Sequence, residues 1–265
     1  MFYRCYIFCY MNNFFCVLVF LVLFLGCQSK NSVQSTEQIA FDERIFPEQV
    51  TSIFDAHGGY VHWSIMQTLK FDLSKGEKYQ VDLTSRNVNI ASEDWIIGSK
   101  GVSVWITPDT VKFSDPRFYH SLYYYFVTMP FILGDPGITY GIVEDKVFRD
   151  TTYSAVKISF ADGVGDAPKD NYFICYDKKT KVMKWLMYTV TYGDNEANDD
   201  YGLINYADWK EVNGLLMPSR LVWYKYNDGI NITRRSDVAV LNWFLSKEAL
   251  DSSLFSIPEE ARLAE

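Results

Sequence analysis

The chain has 265 residues, 48% of them hydrophobic and 22% charged, and carries a formal net charge of −8. That length can bury the core of one domain or two small ones, and the mixture of apolar and charged residues excludes a disordered chain. Net acidity leaves no electrostatic footprint for nucleic acid. The 19 Tyr, 19 Phe and 7 Trp exceed what a compact core needs, so the aromatics are the residues to follow.

Residues 14–25 are an apolar run of about a dozen residues, short for a membrane span of ~20 and right for the core of a signal peptide. Leu23-Phe24-Leu25-Gly26-Cys27 resembles a bacterial lipobox, in which the cysteine is acylated and becomes the mature N-terminus. An uncleaved single-span anchor or a buried helix is the alternative, and Met11 is an alternative start. Two acyl chains on Cys27 would hold the protein on a membrane. Polar residues 28–40 then form a tether, giving a signal peptide over 1–26, a tether over 27–40 and one domain over 41–265. Lys30 without an acidic run at 28–32 points to the periplasmic face of the outer membrane. Cys5, Cys9 and Cys16 leave with the signal, so Cys175 has no partner for a disulfide or a zinc site. Its place in the apolar run Tyr172–Tyr176 reads as a buried, inert thiol.

In chain order, a helix is predicted over Pro47–His57, stopped by Gly58-Gly59, and a shorter one over Tyr60–Thr68. Leu69–Leu73 and Glu77–Arg86 alternate apolar and polar, the period of a half-buried strand. Shorter strands follow at 88–97 and 102–113. Phe118–Phe126 is apolar nearly all round and reads as a helix leading into a loop over Met129–Gly137. Strands then run over 143–150, 153–161, 171–177, 182–192, 201–212, 215–226 and 230–244, turning at Asp177–Thr180, Asn213-Gly214 and Asp228-Gly229. Ten or so antiparallel strands with few helices predict an α+β fold, a large curved antiparallel sheet or barrel. In Leu221–Tyr226 one face carries Leu, Trp and Lys and the other Val and two Tyr, so both faces are apolar.

The ordered set of Ala56-His57-Gly58-Gly59, Trp63, the aromatic helix, Asp208–Pro218 and Leu254-Phe255-Ser256-Ile257-Pro258 resembles the LolA/LolB-like lipoprotein-carrier superfamily, and within it an uncharacterised family of bacterial lipoproteins. The resemblance spans about residues 45–260. It implies an eleven-stranded half-barrel whose concave face is covered by helices, enclosing an apolar cavity for acyl chains, with no catalytic residues and no cofactor.

The histidines and acidic loops support no strong chemistry. His57 and His62 lack the spacing of a helical metal pair, and His57 reads as a helix-end residue bonding terminal carbonyls. His62 reads as a surface residue and His120 as a satisfied core one, with a place in a cavity wall as its alternative. Asp162–Asp166 reads as a turn rather than a calcium loop, and Asp194–Asp200 as a solvated loop with weak cation binding as its alternative. Asn231-Ile232-Thr233 matches a glycosylation triplet in mid-strand. No serine stands in a nucleophile elbow.

The candidate ligand-binding residues are therefore aromatic and apolar: Phe118, Tyr119, Leu122, Tyr123, Phe126, Met129 and Phe131, with Trp63, Trp95, Trp105, Trp185 and Trp223 as wall residues. Core packing is the alternative for the 118–126 helix. As a lid over a cavity, hinged at 130–137, it predicts that Tyr123→Ala or Phe126→Ala changes occupancy more than stability. Three functions remain open. The first is a non-enzymatic, membrane-anchored protein binding a lipid or other hydrophobic ligand. The second is an envelope scaffold with a self-filled cavity and a protein or glycan partner. The third is an enzyme using His57 or His120 with a carboxylate.

Overall fold

Alternation becomes architecture in the first strands. The computed structural model describes residues 46–160, 169–192, 196–227 and 231–264. Cys27, the signal and tether segments, the Asp162–Asp166 turn, Asp194-Asn195 and the Asp228-Gly229 turn lie outside the described residues. In β2 (Lys78–Asp82), Tyr79 and Val81 are buried while Lys78, Gln80 and Asp82 face out, and β1 (Thr68–Leu73) pairs with it antiparallel.

The remaining strands are β3 (Val88–Ala91), β4 (Ile96–Lys100), β5 (Ser103–Thr107), β6 (Ile138–Ile142), β7 (Lys146–Phe148), β8 (Thr151–Phe160), β9 (Asn171–Tyr176), β10 (Met183–Tyr188), β11 (Gly202–Val212), β12 (Leu215–Asn227), β13 (Asn231–Ser246) and β14 (Arg262–Ala264). They form one open antiparallel sheet in the order β14-β5-β4-β3-β2-β1-β13-β12-β11-β10-β9-β8-β6, with β7 paired to β8. Among the described residues that is fourteen strands rather than eleven. The run 88–97 divides at a turn into β3 and β4, β6 emerges after the loop at 133–137, and β14 adds a short edge on β5.

Three helices cover one face: α1 (Glu48–Ala56), α2 (Tyr60–Ser64) and α3 (Pro116–Ile132). The sheet is rolled around α3. Adjacent residues Phe118 and Tyr119 pack against Tyr192, just after β10, and Trp95, just before β4, with ring centroids 5.0 and 6.1 Å apart. Those strands are seven places apart in sheet order, about 34 Å in a flat sheet, whereas a helix with side chains is about 10–12 Å across. Only curvature brings both to one helical turn.

The helix end at α1 is locked by backbone. Gly58 has φ 99°, and a Cβ there would lie 2.2 Å from the Gly214 carbonyl oxygen. Asn213 and Gly214 take φ 49° and 75°, the two-residue hairpin turn between β11 and β12. The Leu216 N–H donates to the His57 carbonyl at 2.9 Å, so the helix docks on the turn. His57 is fully buried: Nδ1 donates to the Ile53 carbonyl at 2.7 Å, and Nε2 accepts the Met183 N–H at 3.4 Å. Burial first, opposed by the Ile53 bond, lowers its pKa to about 4. It is a neutral, positioning imidazole.

Apolar residues occupy both faces of the later strands. Leu221, Leu186 and Ile204 join the core under the helices, while Phe148, Cys175, Trp185, Val222 and Tyr224 form a second cluster. Burial pushes the Cys175 thiol up to about 12.

Candidate functional site

Helix α3 begins where the sequence places a cap. The Asp115 carboxylate accepts the Phe118 N–H at 2.8 Å, and Pro116 occupies the first turn, where its missing N–H costs nothing. The sequence reading ended this helix near Phe126 and put Met129–Gly137 in a loop. The structure corrects that: the helix runs through Pro130 to Ile132. Proline at 130 cannot donate to the Phe126 carbonyl. The Tyr206 hydroxyl from β11 donates to that oxygen at 2.6 Å and fills the gap.

The two halves of α3 differ. Phe126–Ile132 is buried throughout, whereas Arg117–Tyr123 is half-buried. The turn after the helix is tied down by side chains from three parts of the chain. Tyr60 donates to the Gly134 carbonyl at 2.8 Å, Tyr140 to the Leu133 carbonyl, and Arg86 pairs with Asp135 at 2.7 Å.

Two cavities open beside the half-buried part. The first, about 220 Å³, lies towards β8–β10 and is lined by residues including Met129, Tyr125, Phe160, Asp170 and Tyr172. The second, about 310 Å³, lies towards β12 and β13, with Tyr123, Trp223, Arg235 and Val238 in its wall. Both are bounded by Phe118, Leu122 and Phe126, which recur every four residues as one ridge of the helix, and by Tyr188 and Val190. The Trp223 indole and the Tyr188 side chain both border the second cavity.

The structure thus brings together Phe118, Leu122, Tyr123, Phe126, Met129 and Trp223. It places the other candidates elsewhere. Tyr119 donates to both carboxylate oxygens of buried Glu77 at 2.8 Å, and Lys75 pairs with Glu77 at 3.1 Å while lying over the Tyr119 and Tyr123 rings. Burial, then the Glu77 charge, raises the Tyr119 phenol far above its ordinary pKa. Trp95 packs against Phe113 and Tyr119. Trp63 and Phe131 stack in the core at 4.6 Å. Trp105 lies over Gly98, whose absent Cβ would sit 2.1 Å from the ring, on the face opposite Val104 and Ile106. Trp185 packs on Phe148 in the second cluster, away from α3.

Sequence reasoning missed Asp170, Tyr172, Tyr188 and Arg235. The signal for two of them was parity: Tyr172 and Tyr188 share a strand face with Ile174 and Leu186, which pack under the helices. His120 lines the first cavity, with Nδ1 donating to the Arg117 carbonyl. Among the described residues no three His, Cys, Asp or Glu gather as a metal site, and no helix is long and apolar enough to cross a membrane.

Residues 106–236, which include α3 and most of the second half of the sheet, match a family of unknown function, DUF6503. No curated protein matches the chain. Three solved structures are similar to it at low identity. A LolA superfamily protein from Nitrosomonas europaea is 11% identical, with 78% of this chain and 97% of that one covered and a TM-score of 0.44. A DUF1329 family protein from Desulfovibrio piger is 8% identical, with coverages of 79% and 98% and a TM-score of 0.38. A domain described as an outer membrane lipoprotein-sorting protein, from Vibrio parahaemolyticus, is 8% identical, with coverages of 78% and 94% and a TM-score of 0.41.

Proposed function

We propose that this chain is a non-enzymatic envelope protein, lipid-anchored through Cys27, that holds a lipid, an acyl chain or a lipoprotein's acylated end beneath α3. One observation carries the reading: a largely apolar cavity and a second, mixed one meet along the Phe118, Leu122 and Phe126 ridge, in the part of the helix that does not close-pack on the sheet. Ligand sites of this kind are concave and mostly apolar, with a few placed polar groups. Native mass spectrometry of the whole chain, extracted without denaturation, followed by solvent extraction, tests it. A stoichiometric hydrophobic ligand is expected. A clean protein mass that also takes up no added lipid overturns the reading.

The buried half of α3 favours a second reading. Val127, Phe131 and Leu133 are fully buried, so the helix itself fills much of the rolled sheet. A scaffold with a self-filled interior and a protein or glycan partner follows if the mass experiment finds nothing.

A further inference from the structure

Among the described residues lining the first cavity one is acidic, and the fold has gone to some length to place it. Asp170, immediately before β9, is only 6% exposed and lines the cavity. Its Oδ1 accepts the Thr191 N–H at 2.6 Å, and its Oδ2 accepts the Tyr172 hydroxyl at 3.0 Å. An ionised carboxylate offers about four lone-pair sites, so these bonds orient it and leave acceptor capacity. None of the described residues lining this cavity is Lys or Arg; Arg235 lines the second cavity instead. Among the described residues His120 is the one imidazole in the first cavity's wall, and burial raises the Asp170 carboxyl above its ordinary pKa against the hydrogen bonds it accepts.

A buried group that only accepts hydrogen bonds selects for a head that donates them. A fatty-acid carboxylate would set a second anion beside Asp170 in a site poor in water, which is costly. An ammonium brings three donors and the opposite charge. The cavity, at about 220 Å³, is smaller than the ~300–1,000 Å³ usual for small-molecule pockets and suits one chain rather than several. We propose that the first cavity takes a single-chain amphiphile with a hydrogen-bond-donating head, a long-chain primary amine foremost, its head on Asp170 and its chain along Phe118, Leu122 and Phe126. This rests on the hydrophobic-ligand reading and adds the head-group chemistry to it.

The test uses the full chain on phosphatidylcholine vesicles doped equally with hexadecylamine, hexadecanol and hexadecanoic acid. The protein is recovered, and the amphiphiles it retains are quantified by mass spectrometry against the vesicle composition. Charged hydrogen bonds are strong enough that amine should exceed acid by about tenfold or more, with the alcohol between. In Asp170→Asn, which keeps an acceptor for Thr191 or Tyr172, the amine-to-acid ratio should fall to about one. Acid retained as well as amine by the native chain overturns the proposal, whether or not the variant folds, and so does a variant that keeps the full preference. Retention without head preference refutes only the Asp170 assignment. No retention of any amphiphile refutes the hydrophobic-ligand reading with it.

Discussion

His57 makes stability depend on pH in a window set by its own burial. Its pKa is about 4 in the folded chain and 6.5 when free, burial being the chief cause. The unfolded chain therefore binds more protons than the folded one between those values, and stability falls as pH drops from about 6.5 towards 4. With these two constants, acidification from pH 7 to pH 5 removes about 2 kcal/mol. Asp170 works in the opposite sense, since its raised carboxyl favours the fold as it protonates. It is present in both proteins of the comparison and cancels. His57→Gln keeps a donor for the Ile53 carbonyl and an acceptor for the Met183 N–H without titrating. Urea unfolding of wild type and His57→Gln at the two pH values measures the difference in slope. A variant that loses as much stability as wild type on acidification would show that the imidazole is not the titrating group.

Tyr206→Phe should cost about 1–3 kcal/mol, because it strands the Phe126 carbonyl. Adding Pro130→Ala restores a backbone donor, so urea unfolding should show the double variant recovering much of that loss; strict additivity of the two changes refutes the assignment. Gly98→Ala drives a Cβ into the Trp105 ring and should destabilise by about 1–3 kcal/mol, with a neutral melting temperature as the refuting result. Leu122→Trp, on the ridge shared by both cavities, should abolish most lipid retention with a stability change of about 1 kcal/mol or less; unchanged retention by mass spectrometry counts against the site. Phe126→Ala is a poorer probe than its sequence suggests. With the ring 6% exposed against Tyr188 and Trp223, truncation should cost about 3–5 kcal/mol in stability besides any loss of ligand.

Most of the sheet was legible because its signals are local. The alternation of Tyr79 and Val81 with Lys78 and Gln80, and the Asn213-Gly214 pair, need no knowledge of distant residues. What escaped depends on partners far along the chain. Pro130 reads as a helix stop until Tyr206 supplies the donor it lacks. β14 is three residues that become a strand only against β5. The site divided in the same way. The aromatic run 118–126 advertises itself, but tryptophans are conspicuous on either face of a sheet. Trp185 and Trp105 read as wall residues in the sequence, whereas strand parity assigns both to the side away from α3. Asp170 carried no local signal, since a single carboxylate at a strand start looks like any turn residue.

The composition of α3 accounts for the cavities. Its buried half combines Val127, Met129 and Ile132 with the Phe126 and Phe131 rings and fills the space against the sheet. Its half-buried end presents Phe118, Tyr119, Tyr123 and Tyr125, flat rings, three of which carry hydroxyls that demand partners. Tyr119 answers that demand by reaching sideways to Glu77, which draws it off the ridge. Tyr123 is held under Lys75. The Tyr119 ring, bonded at its hydroxyl, is not free to turn into the gaps beside Leu122. The same aromatic excess, spent on the other face, packs Phe148, Trp185 and Tyr224 together beneath the Arg149 guanidinium. One surplus of aromatic residues thus seals the outside of the sheet and props the inside open.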